Sequence, residues 1–255
     1  MKKLRLARVA APLALFALLA LPGAGLAQAA GGSVNEEFHY RWSLRNFIGA
    51  VVGLFLPNHG EGDLTFKSEP NGHLTSQLVI TSAESGGDYW RYGAEIDPVR
   101  LQPIRAWSSY TWRGRSKSEN QEVTQQGVMD VVSAIYSIRR DPPERTRRLQ
   151  IWSDEKVYPV DVVPRGPERR TLPAGTIDTR HYAIRGVEDS EGRRWKGKVD
   201  LWLATDPAAT PAVIQISRSL ADVRLEMTSL PKPAQPAAAV GTRAAAAAPT
   251  AHRPD

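Results

Sequence analysis

Phe38-His39-Tyr40-Arg41-Trp42-Ser43-Leu44 decides the fold class. Phe38, Tyr40, Trp42 and Leu44 alternate with His39, Arg41 and Ser43, the period of two that sends successive side chains to opposite faces of a strand. The apolar residues fall on one side and the polar ones on the other, as in a sheet with one dry and one wet face. The pattern recurs along the chain. Leu64 and Phe66 follow Gly60-Glu61-Gly62, which reads as a glycine-rich turn. Asn71-Gly72 signals a hairpin, and Leu74, Leu78 and Ile80 share a face after it. Tyr89 to Ile96 reads as a further strand. Trp195, Val199, Leu201 and Leu203 share a face opposite Lys196, Lys198 and Asp200, and Val223, Leu225 and Met227 alternate with Asp222, Arg224 and Glu226.

One segment has another period. Val128, Val131, Val132, Ile135 and Ile138 follow helical spacing, which predicts an amphipathic helix over residues 127–139. Asp141-Pro142-Pro143 ends it, because proline cannot continue a helix. The expected fold is mainly β: one curved antiparallel sheet over residues 32–230, a barrel or half-barrel with the helix on its concave side. A two-sheet β-sandwich is the alternative. Helix-dominated circular dichroism excludes both.

The two ends read differently. Lys2, Lys3, Arg5 and Arg8 precede an apolar run from Val9 to Leu21, and Ala27-Gln28-Ala29 supplies a small-residue cleavage site. This is the pattern of a signal peptide over residues 1–29, and it predicts a periplasmic or secreted protein with no transmembrane anchor after cleavage. The chain has no cysteine, which excludes disulfides and attachment of a lipid to a cysteine. Residues 231–255 are rich in Pro and Ala, with too little apolar surface to offset ordering entropy, and read as a disordered tail.

The formal charge of +6 comes from these ends. Of 33 Lys and Arg residues, four lie in the leader and three (Lys232, Arg243, Arg253) in the tail, leaving 26; of 27 acids, one (Asp255) lies in the tail, leaving 26. A neutral body gives no electrostatic footprint for nucleic acid. Arg139-Arg140, Arg147-Arg148 and Arg169-Arg170 read as solvated loops and strand ends.

Three segments carry a resemblance. Asp130-Val131-Val132-Ser133-Ala134-Ile135-Tyr136-Ser137-Ile138-Arg139 has a D-x-x-S-x-x-Y-x-x-R pattern. Pro173-Ala174-Gly175-Thr176 begins a strand through Tyr182. Leu201-Trp202-Leu203-Ala204-Thr205-Asp206 is followed by Pro211-Ala212-Val213. In this order they resemble the bacterial Domain of unknown function 3108 family, over roughly Leu101 to Leu230. The resemblance implies an exported, β-rich envelope protein with no established activity, and so supplies no catalytic residues. The chain departs from the family pattern at Asn46 to Pro57.

Residue chemistry gives no enzyme motif. The five histidines (His39, His59, His73, His181, His252) form no close metal pair. His39 and His73 read as the wet face of a strand. No G-x-S-x-G, P-loop or dinucleotide fingerprint is present. Asp130 reads as a helix-start carboxylate and Ser133 as an ordinary helical position. His181 and Asp178, three apart on a strand, face opposite sides. Asp200 and Asp206 are candidate paired acids, although Asp206 before Pro207 reads as a turn start. No catalytic residue, metal ligand or cofactor is expected.

The seven tryptophans are more informative. They fill a β core, line an apolar cavity or face a protein partner. Phe47 to Leu56 is a charge-free run too short to span a bilayer, and it reads as core, lid or membrane contact. The candidate ligand-binding set is Trp42, Phe47, Val52, Leu54, Phe55, Trp90, Trp112 and Trp202. The expected function is a non-enzymatic envelope binding or assembly factor for a lipid or other apolar ligand, or for an envelope protein. The rival readings are a hydrolase with a dispersed acid/His site and a partner-binding scaffold. A pocketed cluster of His181 with carboxylates favours the enzyme.

Overall fold

The computed structural model describes residues 34–45, 58–83, 87–112, 114–153, 156–218 and 221–230, with the side chains at 112, 218 and 221 left aside. The signal segment, the charge-free run and the tail read from the sequence lie outside the described residues. The described chain forms one sheet of 13 strands and one helix. In chain order the strands are β1 (Asn35–Arg45), β2 (His59–Ser68), β3 (Leu74–Ser82), β4 (Tyr89–Asp97), β5 (Gln102–Trp112), β6 (Arg115–Glu122) and β7 (Val128–Met129). The helix α1 (Val131–Arg140) follows, then β8 (Arg147–Ser153), β9 (Lys156–Leu172), β10 (Gly175–Gly186), β11 (Lys198–Ala204), β12 (Pro211–Arg218) and β13 (Ala221–Met227).

The spatial order is β6-β5-β4-β3-β2-β1-β13-β12-β11-β10-β9-β8-β7. Two antiparallel meanders are thus joined where β1 pairs with β13, Tyr40 opposite Met227 and Trp42 opposite Leu225. β7 and β8 run parallel, which needs a crossover, and α1 is that crossover. The helix packs on β3, β4 and β5 and also on β7 and β8, strands from both flanks of the sheet order. The sheet therefore curves around α1, and β7 comes to lie beside β5. The fold is the mainly β, barrel-like sheet expected from the alternation.

Burial explains the helix. Eight of its residues, Val132 to Arg139, are buried, so α1 is a core helix wrapped by sheet. It begins at Val131, later than its periodicity suggests, because Val128 and Met129 are taken into β7 and Asp130 is the N-cap. Asp130 Oδ1 accepts from the backbone N–H of Val132 (2.7 Å) and Ser133 (3.3 Å), while the Asp130 N–H donates to Ser133 Oγ (3.1 Å). Ser133 is thus half of a capping box rather than an ordinary helical residue.

Three further readings are corrected. Gly60-Glu61-Gly62 is not a turn but lies inside β2, with both glycines facing the core. A Cβ on Gly60 would meet Thr81 O at 2.0 Å and Trp42 Nε1 at 2.5 Å. The missing side chain lets the Trp42 indole lie across β2 and donate to Thr81 O (2.7 Å). Trp195 lies in the loop before β11, not on a strand. Arg139 is no solvated strand end: its guanidinium, 2% exposed, lies in the core. It donates to Glu36 (3.0 and 3.3 Å), Ala208 O (3.0 Å) and Ala209 O (3.1 Å), over the rings of Phe38 and Phe66, each centroid 4.9 Å away.

Candidate functional site

The concave face is unevenly filled. Every second residue of β1 to β5 and of β11 to β13 points inward. Near α1 these positions are closed: Phe38, Phe66, Leu74, Ile96, Ala106, Leu203, Ala212 and Met227 are all buried. Toward the opposite end the same registers open. On β1 burial passes from Phe38 to half-buried Leu44, on β12 from Ala212 to Ile216, and on β13 from Met227 to Val223. On β4 and β5 the inward positions end in aromatics: half-buried Trp90, Tyr92 at 40% exposure and Tyr110 at 39%. Trp90 faces Tyr110 across the ladder and Ile80 on its other side. Trp42, the deepest aromatic toward this rim, meets Trp90 edge to face at 6.5 Å.

Of the residues singled out in the sequence, Trp42 and Trp90 therefore come together at this open end. Trp112 shares their register, two positions beyond Tyr110 on β5. Phe47, Val52, Leu54 and Phe55 lie outside the described residues. The strand ends flanking their segment sit at the same rim, where Leu44 N–H donates to Asn58 O (2.8 Å).

Trp202 is elsewhere. It lies on the convex face, 4% exposed, because polar side chains cover it. His181 stacks on it at 4.3 Å, Arg170 and Arg224 lie 4.5 and 5.4 Å from its centroid, and its indole N–H donates to Glu168 Oε2 (2.6 Å). His181 Nε2 lies 2.8 Å from Asp200 Oδ1, and its Nδ1 lies 4.0 Å from Glu168. Arg185 clamps both Asp200 oxygens at 2.7 Å. Burial opposes the charge on Asp200, but the hydrogen bonds from His181 and Arg185 outweigh it and hold the carboxyl below its usual range. Asp200 is thus committed to His181 and Arg185. Asp206 instead holds a turn, its Oδ1 accepting from Thr210 N–H (3.0 Å). The His181 cluster is a half-buried lattice on a sheet surface, with both ring nitrogens facing carboxylates.

The remaining histidines are peripheral. His39 is on the wet face of β1, 2.7 Å from Asp63. His73 sits in the turn before β3 and bonds Glu95 (2.6 Å). Glu37, His39 and Asp63 bring one donor atom each within 4.8 Å of one another beside an open groove of about 430 Å³. Sequence spacing misses this trio because Asp63 comes from the neighbouring strand. Among the described residues no helix is long and apolar enough to cross a membrane.

Comparison with known proteins adds family and fold. No curated protein matches the chain. The chain is similar to a β-barrel-like protein of domain of unknown function DUF1849 from Brucella abortus, at 9% identity and a TM-score of 0.41, covering 77% of this chain and 96% of that one. It is similar also to the Mycobacterium tuberculosis lipoprotein LppX, at 11% identity and a TM-score of 0.26, covering 75% and 84%. The stretch that contains α1, the Pro173-Ala174-Gly175-Thr176 turn and β11 to β13 is matched, over residues 105–228, by the model of DUF3108, a protein family of unknown function.

Proposed function

We propose that the protein is an exported envelope factor that binds an apolar, lipid-like group at the open end of its concave face, without catalysis. The observation that carries this reading is the burial gradient. One end of the concave face is closed by α1, while inward-facing Trp90, Tyr92 and Tyr110 at the other remain accessible. Inward positions of a curved sheet are the ones an apolar ligand occupies in barrel mouths. Leaving such surface in water forgoes roughly 25 cal/mol per Å². The leader-like segment at residues 1–29 supports an envelope location, and the neutral body supports an uncharged target over nucleic acid.

The test is titration of the purified domain with a dansyl-labelled fatty acid. Saturable binding with energy transfer from tryptophan is expected. The Trp90→Ala/Tyr110→Ala double variant, assayed below its own Tm, is expected to weaken binding about tenfold, the scale of one or two lost aromatic contacts. Non-saturable partitioning, or equal affinity in the double variant, removes the reading.

A further inference from the structure

At the end of the sheet closed by α1, a separate cavity of about 200 Å³ opens between β10, β11 and the loop that leads to β12. Arg180 and Tyr182 line it from β10, Leu203 and Asp206 from β11 and its loop, and Pro142 follows α1. Arg180 and Leu203 are cross-strand partners. Two of the three sequence segments that carry the family resemblance line this place, and the first supplies Arg139, which bonds the loop beside it.

Its polar groups are uncommitted. Tyr182 is 2% exposed overall, and its hydroxyl, which has no hydrogen-bond partner among the described residues, keeps its contact with solvent. Arg180 has no ion pair or hydrogen bond among the described residues either. Asp206 uses Oδ1 for Thr210 N–H and its backbone oxygen for Ala209 N–H (both 3.0 Å), which leaves Oδ2 unengaged.

The wall is rigid. Arg139, from inside the core, holds the carbonyls of Ala208 and Ala209. Ala209 sits at φ 46°, a left-handed conformation that a residue with a Cβ adopts only when its surroundings impose it.

We propose that this cavity binds a compact carboxylate bearing an adjacent amino or hydroxyl group. A guanidinium and a phenolic O–H converge on a carboxylate. The free oxygen of Asp206 accepts from the amino or hydroxyl group, and Leu203 and Pro142 face a small apolar substituent. The volume of about 200 Å³ admits a molecule of alanine or lactate size together with bound water. This site is independent of the apolar mouth at the opposite end.

The probes are alanine, lactate and propionate, titrated into the folded full domain and read by calorimetry and by amide chemical shifts. Alanine or lactate is expected to bind saturably, shifting amides of residues 180–182 and 203–210. Propionate, which lacks the donor for Asp206, is expected to bind about tenfold more weakly. Tyr182→Phe preserves the packing and is expected to weaken binding about tenfold at unchanged Tm, and Arg180→Ala to abolish it. Preference for alanine over lactate, or the reverse, identifies which donor faces Asp206 and supports the site either way. Propionate binding as tightly as the better of the two, equal affinity in either variant, or shifts confined to other regions overturns the proposal.

Discussion

At the scale of single residues, the polar groups inside this molecule are the ones that organise it. Asp130 is buried, and its burial raises its pKa although hydrogen bonds from Ser133 and from backbone N–H groups oppose the rise. A carboxyl whose pKa is higher folded than unfolded stabilises the protein below the unfolded value, about 4. That contribution is lost as pH rises through the folded value. Asp130→Asn keeps the capping acceptor and removes the charge, so its stability relative to the wild type is expected to increase between pH 4 and pH 7. Asp130→Ala removes the cap as well and is expected to be about 1 kcal/mol less stable than Asp130→Asn at either pH. Urea unfolding of the three proteins at both pH values checks this. A relative loss for the Asn variant on going to pH 7 would show that the ionised carboxylate is the form the fold prefers. Arg139 belongs to the same class. The motif ending in this arginine is a capping box, a core tyrosine packed on Phe66 at 5.0 Å, and a cation that ties α1 to β1 and to the β11–β12 loop.

At the scale of elements, α1 determines how much of the concave face is core. Ile135 is fully buried at its middle. Ile135→Ala is expected to destabilise the domain by about 2–5 kcal/mol, through lost transfer energy and the cavity left behind, measurable by chemical denaturation. A loss below about 1 kcal/mol would mean that the surrounding strands collapse onto the vacancy. The strands and this helix were legible because side-chain period is a local property: Phe38 to Leu44, Leu74 to Ile80 and Val223 to Met227 point as their alternation says. Parity also places Trp202 with Asp200, opposite Leu201 and Leu203, so its position on the convex face was readable even though its aromatic character drew it into the ligand set. Gly60 and Gly62 misled because glycine marks both turns and close approaches; the indole that needs the space comes from β1. The two-residue β7 has no period to read, and it forms because β8 offers a partner. The Arg180–Tyr182–Asp206 cavity was invisible for a related reason: its members meet through cross-strand register and a loop pinned by Arg139, neither of which a linear spacing encodes.

At the scale of the whole molecule, the sheet depends on one seam. Strands β1 to β6 supply one meander and β8 to β13 the other, and β1 against β13 is where they join. Leu225 and Met227 on β13 are fully buried. A chain ending at Arg218 is expected to lose cooperative thermal unfolding and the near-ultraviolet dichroism of the packed tryptophans, because Phe38, Tyr40 and Trp42 lose their neighbours on one side. Retention of a sharp transition would show that the first meander folds by itself around α1.

The same seam sets a timetable. Thr228 bonds the backbone of His39 across 189 positions of sequence. A ribosome adding about 5–20 residues per second takes on the order of ten to forty seconds to make the stretch between them. Throughout that interval β1 exists without β13, with one edge unpaired and its aromatic face uncovered. Strand edges of this kind recruit whatever extended chain is nearest. A holding factor that masks Phe38 to Leu44 until the last strand arrives would therefore act on the protein's yield without altering its final stability.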